Sequence, residues 1–508
     1  MKCRNRNKYQ NLEERVTMVS ISLKDRTKGY LTLKMVNSVA EKIRKGDTGD
    51  AAALFESLAR IAPAKYHRET FRILADRIKN RDPFAMPFLR MVRELDPHCL
   101  QKLLQNLFVN FMVVGRGIRD RKKAELGIHL PNFMVISPTM KCNLACKGCY
   151  AGEYDQTNDL PFHVLDRIIN EGKDMGMYFY TLSGGEVLLY EGIFDIFRKH
   201  NDCYFQFYTN GTLLTQDVVD RLAEVGNVAP MISVEGTKEH TDARRGQGVY
   251  EKMMEAYSRM KERKMAYGFS TTYTNVNADY IASDDFISRM VDLGCTFGWI
   301  FQYIPIGVKP DLTYMATPSQ RNHLREKVAS WRENGDFPIL FGDFWNDAPY
   351  VDGCMAGGRR YWHVIHNGLV EPCVFAPFAV DNVKEKSLVE IADSPFFRAI
   401  RDAQPYDDDD LLRPCMIIDH PEVLRKLVRE YGAKPCHRGL EAMLEGEVAE
   451  GLDKYAAELK EIYDPVWDEY WRAKYWKSLE REEDNYTLEK ARKHIPQQCS
   501  RCSRSCSG

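Results

Sequence analysis

Apolar and polar positions along the chain follow two regimes, which change near residue 130. Before it, apolar residues recur at helical spacing over 24–45 and 48–95, punctuated by Gly46, Pro63, Pro83 and Pro87. Residues 1–130 therefore read as an all-helical region. The clearest stretch is 100–115. Leu100, Leu103, Leu104, Leu107, Phe108, Phe111, Met112 and Gly115 form one face, and Gln101, Lys102, Gln105, Asn106 and Asn110 the other. Arg116, Arg119, Arg121, Lys122 and Lys123 follow at once. Two readings stay open: a helix packed on the next domain with a solvated basic end, or, more sharply, a membrane-surface helix or an entry for an amphiphilic substrate.

From residue 132, apolar runs of strand length alternate with amphipathic stretches. Strands are expected at Phe133–Ser137, Tyr178–Leu182, Tyr204–Thr209, Pro230–Val234, Tyr267–Thr272 and Phe297–Ile304. Helices are expected at Pro161–Gly172, Gly192–His200, Gln216–Val225, Val249–Met265 and Asp284–Leu293. Alternating strands and helices imply a parallel sheet, and six strands are too few to close an eight-stranded barrel. The expected fold is α/β, a partial (βα)6 parallel barrel over 131–317 behind the helical region 1–130. A small α+β region over 318–445 and a charged helical region over 446–508 follow. Within 318–445, Tyr361–His366 and Leu369–Phe375 flank Asn367-Gly368, the preferred two-residue hairpin turn. A helix is expected near Ser387–Ala403, and Asp407–Asp410 reads as a solvated loop.

Composition narrows the class. At 508 residues, 44% hydrophobic and 28% charged, the chain reads as a globular protein of two to four domains. A net charge of −1 gives no electrostatic case for nucleic acid. No apolar run approaches the ~18 residues that span a bilayer, and Met1-Lys2-Cys3-Arg4-Asn5 begins no signal region. The expected location is cytoplasmic, membrane-associated if residues 100–123 lie on a bilayer. Fourteen cysteines without a secretory signal point to metal sites rather than disulfides. Cys3, Cys99, Cys203 and Cys295 stand alone and read as small apolar residues.

The remaining cysteines cluster. Cys142, Cys146 and Cys149 form a C-x3-C-x2-C array directly after the first expected strand, at the end of the sheet where ligands bind. Three thiolates from one loop can hold three irons of a cubic [4Fe–4S] cluster and leave the fourth open to a small molecule. A zinc knuckle would need a fourth Cys or His nearby. Ser183-Gly184-Gly185-Glu186 ends the second strand, where glycines allow close backbone approach.

This cysteine loop, with Gly-Gly-Glu one strand later in a (βα)6 order, resembles the radical S-adenosylmethionine enzymes over roughly residues 130–310. The resemblance implies that the cofactor's amine and carboxylate chelate the open iron, and that one electron yields a 5′-deoxyadenosyl radical, which takes hydrogen from an unactivated C–H bond. It implies cofactor contacts at Ser183, Gly184, Gly185 and Glu186. It extends more loosely to Thr209 and Asn210, to Ser233 and Glu235 near the ribose, and to Arg244 or Arg245 at the methionyl carboxylate. Gly148 departs from the family, which commonly carries an aromatic ring there; Tyr150 stands just beyond. Cys354-x13-Gly368-x4-Cys373 resembles the start of the SPASM or shortened twitch module, which implies a second [4Fe–4S] cluster with Cys415 and Cys436 as candidate further ligands. The bland alternative is two buried thiols beside a hairpin. Cys499, Cys502 and Cys506 end the chain in the mirror spacing, as another metal site or as an oxidisable tail. His437 reads as a surface histidine.

The function expected is hydrogen abstraction from an unidentified substrate, lipid or peptide, with a ferredoxin- or flavodoxin-like reductant. Alternatives are a non-catalytic iron–sulfur carrier or maturation partner, and a glycyl-radical activase.

Overall fold

The structure, a computed structural model, describes residues 23–474 apart from 47, 62–64, 83–84, 308 and 407–409. Cys3, Asp407–Asp409 and the Cys499/Cys502/Cys506 tail lie outside the described residues.

One ten-stranded sheet organises the chain, in the order β11-β9-β8-β1-β2-β3-β4-β5-β6-β7. Strands β1 (Met134–Thr139), β2 (Phe179–Gly184), β3 (Tyr204–Thr209), β4 (Val228–Ser233), β5 (Gly268–Tyr273), β6 (Phe297–Gln302) and β7 (Leu340–Asp343) run parallel. The parallel series thus goes one strand past the expected six at this edge, and the short β8 adds another at the opposite edge. At the β1 edge, β8 (His363–Val364) pairs parallel to β1, and β9 (Leu369–Glu371) and β11 (Asp381–Asn382) add antiparallel. The expected hairpin therefore belongs to the main sheet.

Period-two alternation sorts the strands' side chains. Tyr180, Leu182, Phe205, Phe207, Ile232, Phe269 and Ile300 point outward into the core under the helices. Phe179, Thr181, Ser183, Gln206, Tyr208, Ser270, Thr272, Trp299 and Phe301 line a common cavity on the other face. A second core spans residues 303–471 and joins the auxiliary region to the helix Glu447–Val466.

The N-terminal helices pack under the starts of the strands, where Tyr204, Ala229, Ala266, Phe179 and Phe297 meet them. Residues 104–115 form a π-helix, not an α-helix. Its wider turn carries Asn106, expected on the solvent face, inward to donate to the Asn201 and Cys203 carbonyls. The apolar stripe is covered by the chain itself, and of its members only Met112 is exposed. Arg119 and Lys122 are buried too, with Arg119 donating to the Gly176 carbonyl. The apolar face of residues 100–115 is thus packed largely on the chain itself. Among the described residues, no helix is long and apolar enough to cross a membrane.

The 387–403 stretch divides into Leu388–Ala392 and Pro395–Ala403, broken at Pro395. Asp410, expected in solvent, is buried against Arg413.

Candidate active site with two cysteine groups

The Cys142–Cys149 loop leaves β1 at its carboxyl end and is fixed by contacts from elsewhere. Lys147 N donates to the Arg244 carbonyl (2.9 Å) while Arg244 Nε donates to the Lys147 carbonyl (3.2 Å). Asn210 Nδ2 reaches Asn143 Oδ1 at 2.8 Å and Cys142 Sγ at 3.9 Å. Tyr150 Oη lies 2.6 Å from Ser183 Oγ and accepts from Gly184 N at 3.2 Å. Tyr150 and Asn143 were not expected at the site. Burial raises the Cys142 and Cys146 thiols above their ordinary range.

The two glycines after β2 let the chain press on this loop. Gly184 has φ +108, and a Cβ on Gly185 would stand 2.1 Å from the Lys141 carbonyl oxygen. Gly185 N and Glu186 N donate to the Thr139 and Lys141 carbonyls.

Glu186 and Glu235, expected to touch cofactor, do not line the cavity. Glu186 is fully buried and accepts from Thr209 Oγ1, Asn210 N and Leu188 N, joining β2 to β3. Burial pushes its carboxyl up to about 6, against those hydrogen bonds. Glu235 Oε1 is shared by Arg244 and Arg245. Arg244 also donates to Thr272, whereas Arg245 NH1 stands 3.9 Å from Cys146 Sγ. Thr209, Asn210 and Ser233 line the cavity. Gly148 has φ +62, and Tyr303 fills the space beside it: a Cβ there would meet the Tyr303 ring at 2.7 Å.

Across the same cavity stand Cys354, Cys373 and Cys415. The Cys415 loop is set by Asp419, which accepts from Cys415 N and pairs with the fully buried Arg321 of the helix Pro318–Asn334. The hairpin is clamped to β1 by Glu371, which binds His363 Nδ1 (2.7 Å) and Tyr154 Oη (2.7 Å), while His363 Nε2 lies 2.6 Å from Ser137 Oγ. Ser137, His363 and Glu371 have the connectivity of a nucleophile relay. All three are buried and none lines the cavity, so their role is to hold the hairpin.

Cys436 does not join the group. It packs with Met140, Ala151, Tyr154 and Ile365, outside the cavity. His437 beside it is buried against the Tyr154 ring rather than on the surface. Cys99, Cys203 and Cys295 are buried, and burial raises their thiols, as suits packing residues.

The cavity measures about 700 Å³. An aromatic belt crosses it: Tyr150 meets Phe375 edge-on, Phe375 meets Phe301, and Phe301 stacks on Phe344 at 4.7 Å. Thr271 Oγ1, Trp299 Nε1, Gln302 Nε2 and Trp345 Nε1, on residues that line it, are enclosed within the wall without partners. Among the described residues, no three His, Cys, Asp or Glu side chains converge closely enough for a single metal ion. A tetrahedral zinc site would need that convergence. Two groups of three thiols in loops around an aromatic cavity instead suit multi-iron clusters, whose irons each take one thiolate.

Comparison with known proteins agrees. Residues 136–285 match the radical SAM superfamily, and residues 354–416 the SPASM iron–sulfur cluster-binding domain. An AdoMet-dependent heme synthase of Oleidesulfovibrio alaskensis is 24% identical over 53% of this chain and 76% of its own. The mycofactocin maturase MftC of Mycobacterium tuberculosis is 26% identical over 55% of this chain and 75% of its own. Among solved structures, Streptococcus suis SuiB bound to S-adenosylmethionine aligns with a TM-score of 0.49 at 17% identity, over 70% of this chain and 83% of that one.

Proposed function

This chain is a radical S-adenosylmethionine enzyme with a SPASM iron–sulfur region, and on that premise we propose that it abstracts hydrogen from a neutral peptide segment held in the aromatic cavity. Cys142, Cys146 and Cys149 hold the cluster that engages the cofactor. When bound, the cluster and S-adenosylmethionine supply one-electron sulfonium cleavage and hydrogen-atom removal. The electron comes from a ferredoxin- or flavodoxin-class reductant.

The residues around this centre divide the remaining work. The carbonyls of the Ser183–Gly185 segment receive the cofactor's amine, and Tyr150 fixes that segment to the cysteine loop. Arg245, whose NH1 points at Cys146, serves the methionyl carboxylate. Arg244 holds the loop through Lys147. The Thr209–Asn210 turn, anchored by Glu186, keeps Asn143 in place. The aromatic belt excludes water, which protects a reactive intermediate.

The observation that carries the substrate class is the aromatic, largely uncharged lining of the cavity, with Tyr150, Trp299, Phe301, Phe344 and Phe375 on its walls. Such a lining suits an uncharged segment such as a peptide with apolar side chains. The charged lining residues are Arg244 and Arg245, already paired to Glu235, and Glu153 and Lys309 at the exposed rim. With Arg245 assigned to the methionyl carboxylate and Arg244 to Glu235 and Lys147, a many-carboxylate ligand such as a tetrapyrrole finds no further cation deep in the cavity among the described residues. A lipid is disfavoured because the stripe at 100–115 is covered. The names of the maturase relatives, MftC and the sporulation killing factor maturation protein SkfB of Bacillus subtilis, point the same way.

The test is anaerobic reconstitution with S-adenosylmethionine and dithionite. Wild type is expected to release 5′-deoxyadenosine and Cys146→Ala none. Equal yields from the two, or none from wild type, would overturn the reading and favour an electron carrier. Peptides carrying deuterium at candidate positions then report the substrate by label transfer into 5′-deoxyadenosine.

A further inference from the structure

We propose that a cationic face formed by the helix Arg116–Leu126 and the Cys354 loop docks an acidic one-electron carrier protein of the flavodoxin or ferredoxin class, on the side of the second cysteine group. The purpose of such a surface rests on the radical reading above; the surface itself is built from the charges of this chain.

Arg116, Arg119 and Lys123 stand at i, i+3 and i+7 and so share one side of that helix. Arg360 lies close enough for its charge to act on Arg119 and Lys123, and on Arg359 beside it. The carboxylates paired with this group among the described residues are Asp120, 3.7 Å from Arg116, and Asp352, 3.3 Å from Arg360. Arg119 and Arg359 donate instead to main-chain carbonyls. A carbonyl holds a guanidinium without cancelling its charge, so cations outnumber carboxylates here. Burial lowers Arg119 and Arg359 to about 10, and the charge of Arg360 lowers both further; both still carry their charge at neutral pH. A compact surplus of one sign steers and orients a partner of the other sign.

The residues on either side of Arg360 join this face to the second cysteine group. Arg359 Nε donates to the Cys354 carbonyl, and its NH2 to that of Gly353 at 2.9 Å. Tyr361 places Oη 3.2 Å from Cys373 Sγ, and its ring stacks on Phe133 at 5.3 Å. Arg360 is itself anchored, its carbonyl accepting from Asn132 N and Phe133 N at the start of β1. A carrier seated on Arg360 is therefore one residue from a contact to Cys354 or to Cys373. It is oxidised by one electron, the chain is reduced by one, and no atom is transferred. Beside the first cysteine group, by contrast, the cations are neutralised in pairs: Lys141 with Asp159 at 2.8 Å and Lys147 with Asp311 at 3.5 Å. A bilayer surface would need an exposed apolar face next to the cations, and the adjoining stripe is covered except at Met112.

The test is calorimetric titration of the full-length, reconstituted protein with a purified, oxidised bacterial flavodoxin, without S-adenosylmethionine and at two salt concentrations. Wild type is expected to bind, less tightly at the higher salt. Lys123→Glu/Arg360→Glu should weaken binding roughly tenfold or more and flatten its salt dependence. Lys141→Glu/Lys309→Glu, which makes the same change in net charge beside the first cysteine loop and at the cavity rim, should bind like wild type. Lys123→Gln/Arg360→Gln, with wild-type iron content, should show a smaller loss in the same direction, which separates lost charge from misfolding. In turnover, Lys123→Glu/Arg360→Glu should lose 5′-deoxyadenosine release driven by reduced flavodoxin and keep release driven by dithionite. The proposal is overturned by absence of wild-type binding, by equal binding of Lys123→Glu/Arg360→Glu, or by loss on Lys141→Glu/Lys309→Glu instead. Equal loss of the dithionite-driven release, or capture by phosphatidylglycerol vesicles of wild type but not of Lys123→Glu/Arg360→Glu, would overturn it too. Binding needs no cofactor cleavage, so flavodoxin binding without any dithionite-driven release would sink the radical reading alone.

Discussion

Two groups of three cysteines border one cavity, and they are built in opposite ways. The first comes from residues 142–149 of a single loop, and its orientation is imported: Arg244 grips Lys147, Asn210 grips Asn143, and Tyr150 reaches Ser183 and Gly184. The second comes from three segments between 354 and 415. There each sulfur carries its own local N–H bond, and buried polar pairs bring the segments together. A compact ligand set needs distant partners for precision, and a dispersed one needs the fold for assembly. Damage should therefore appear as misorientation at the first group and as loss of metal at the second.

The largest expected effect is at the second group. Asp419→Ala leaves Arg321 buried without its partner and frees the Cys415 loop, so thermal unfolding should report a loss of about 3–5 kcal/mol. Iron at the second cluster should fall while the first is retained. At the first group, Gly185→Ala drives a methyl into the Lys141 carbonyl. S-adenosylmethionine cleavage should drop roughly 100-fold with iron content unchanged; loss of iron instead would break the contrast between the groups. Tyr150→Phe removes one hydroxyl link, worth about 1 kcal/mol. Cofactor affinity should weaken several-fold in equilibrium dialysis, again without loss of iron.

The smallest effect is a pH dependence at Glu186. Its carboxyl is raised by burial from 4.5 to about 6, so the folded chain binds this proton more tightly than the unfolded one. Between those values its contribution to stability falls as pH rises, by about 2 kcal/mol in all. Urea unfolding of the wild type and of Glu186→Gln should show a stability difference that declines across that window and is flat above it. A difference flat throughout would contradict the buried placement.

The first group was legible in the sequence because its spacing is local and follows a strand that alternation marks clearly. Strands β1 to β6 each begin within two residues of the expected position. Less was legible where geometry depends on the fold. The phase of residues 104–115 shifts because a π-helix does not keep the 3.6 period on which the face was drawn. The helix Lys238–Arg245, which brings both arginines to the loop, has almost no apolar residues and so leaves no periodic mark. Strand β7 is only four residues long and contains Gly342. Glu186 and Glu235 sit in motifs expected to face cofactor, yet they turn away to fix Thr209, Asn210 and the arginines. Cys436 was grouped with Cys354, Cys373 and Cys415 by proximity in sequence, while the direction of its hydrogen bond and its packing separate it. The aromatic belt of the cavity carries no sequence signal; it forms only once the strands are assembled.

The most direct measurement is 5′-deoxyadenosine released from S-adenosylmethionine under dithionite, without substrate, by two variants side by side. Cys149→Ala should release none, while Cys373→Ser, with its second cluster impaired, should release it at close to the wild-type rate. Release from Cys149→Ala, or loss in both variants with the fold intact by circular dichroism, would contradict the assignment of cofactor cleavage to the first group alone.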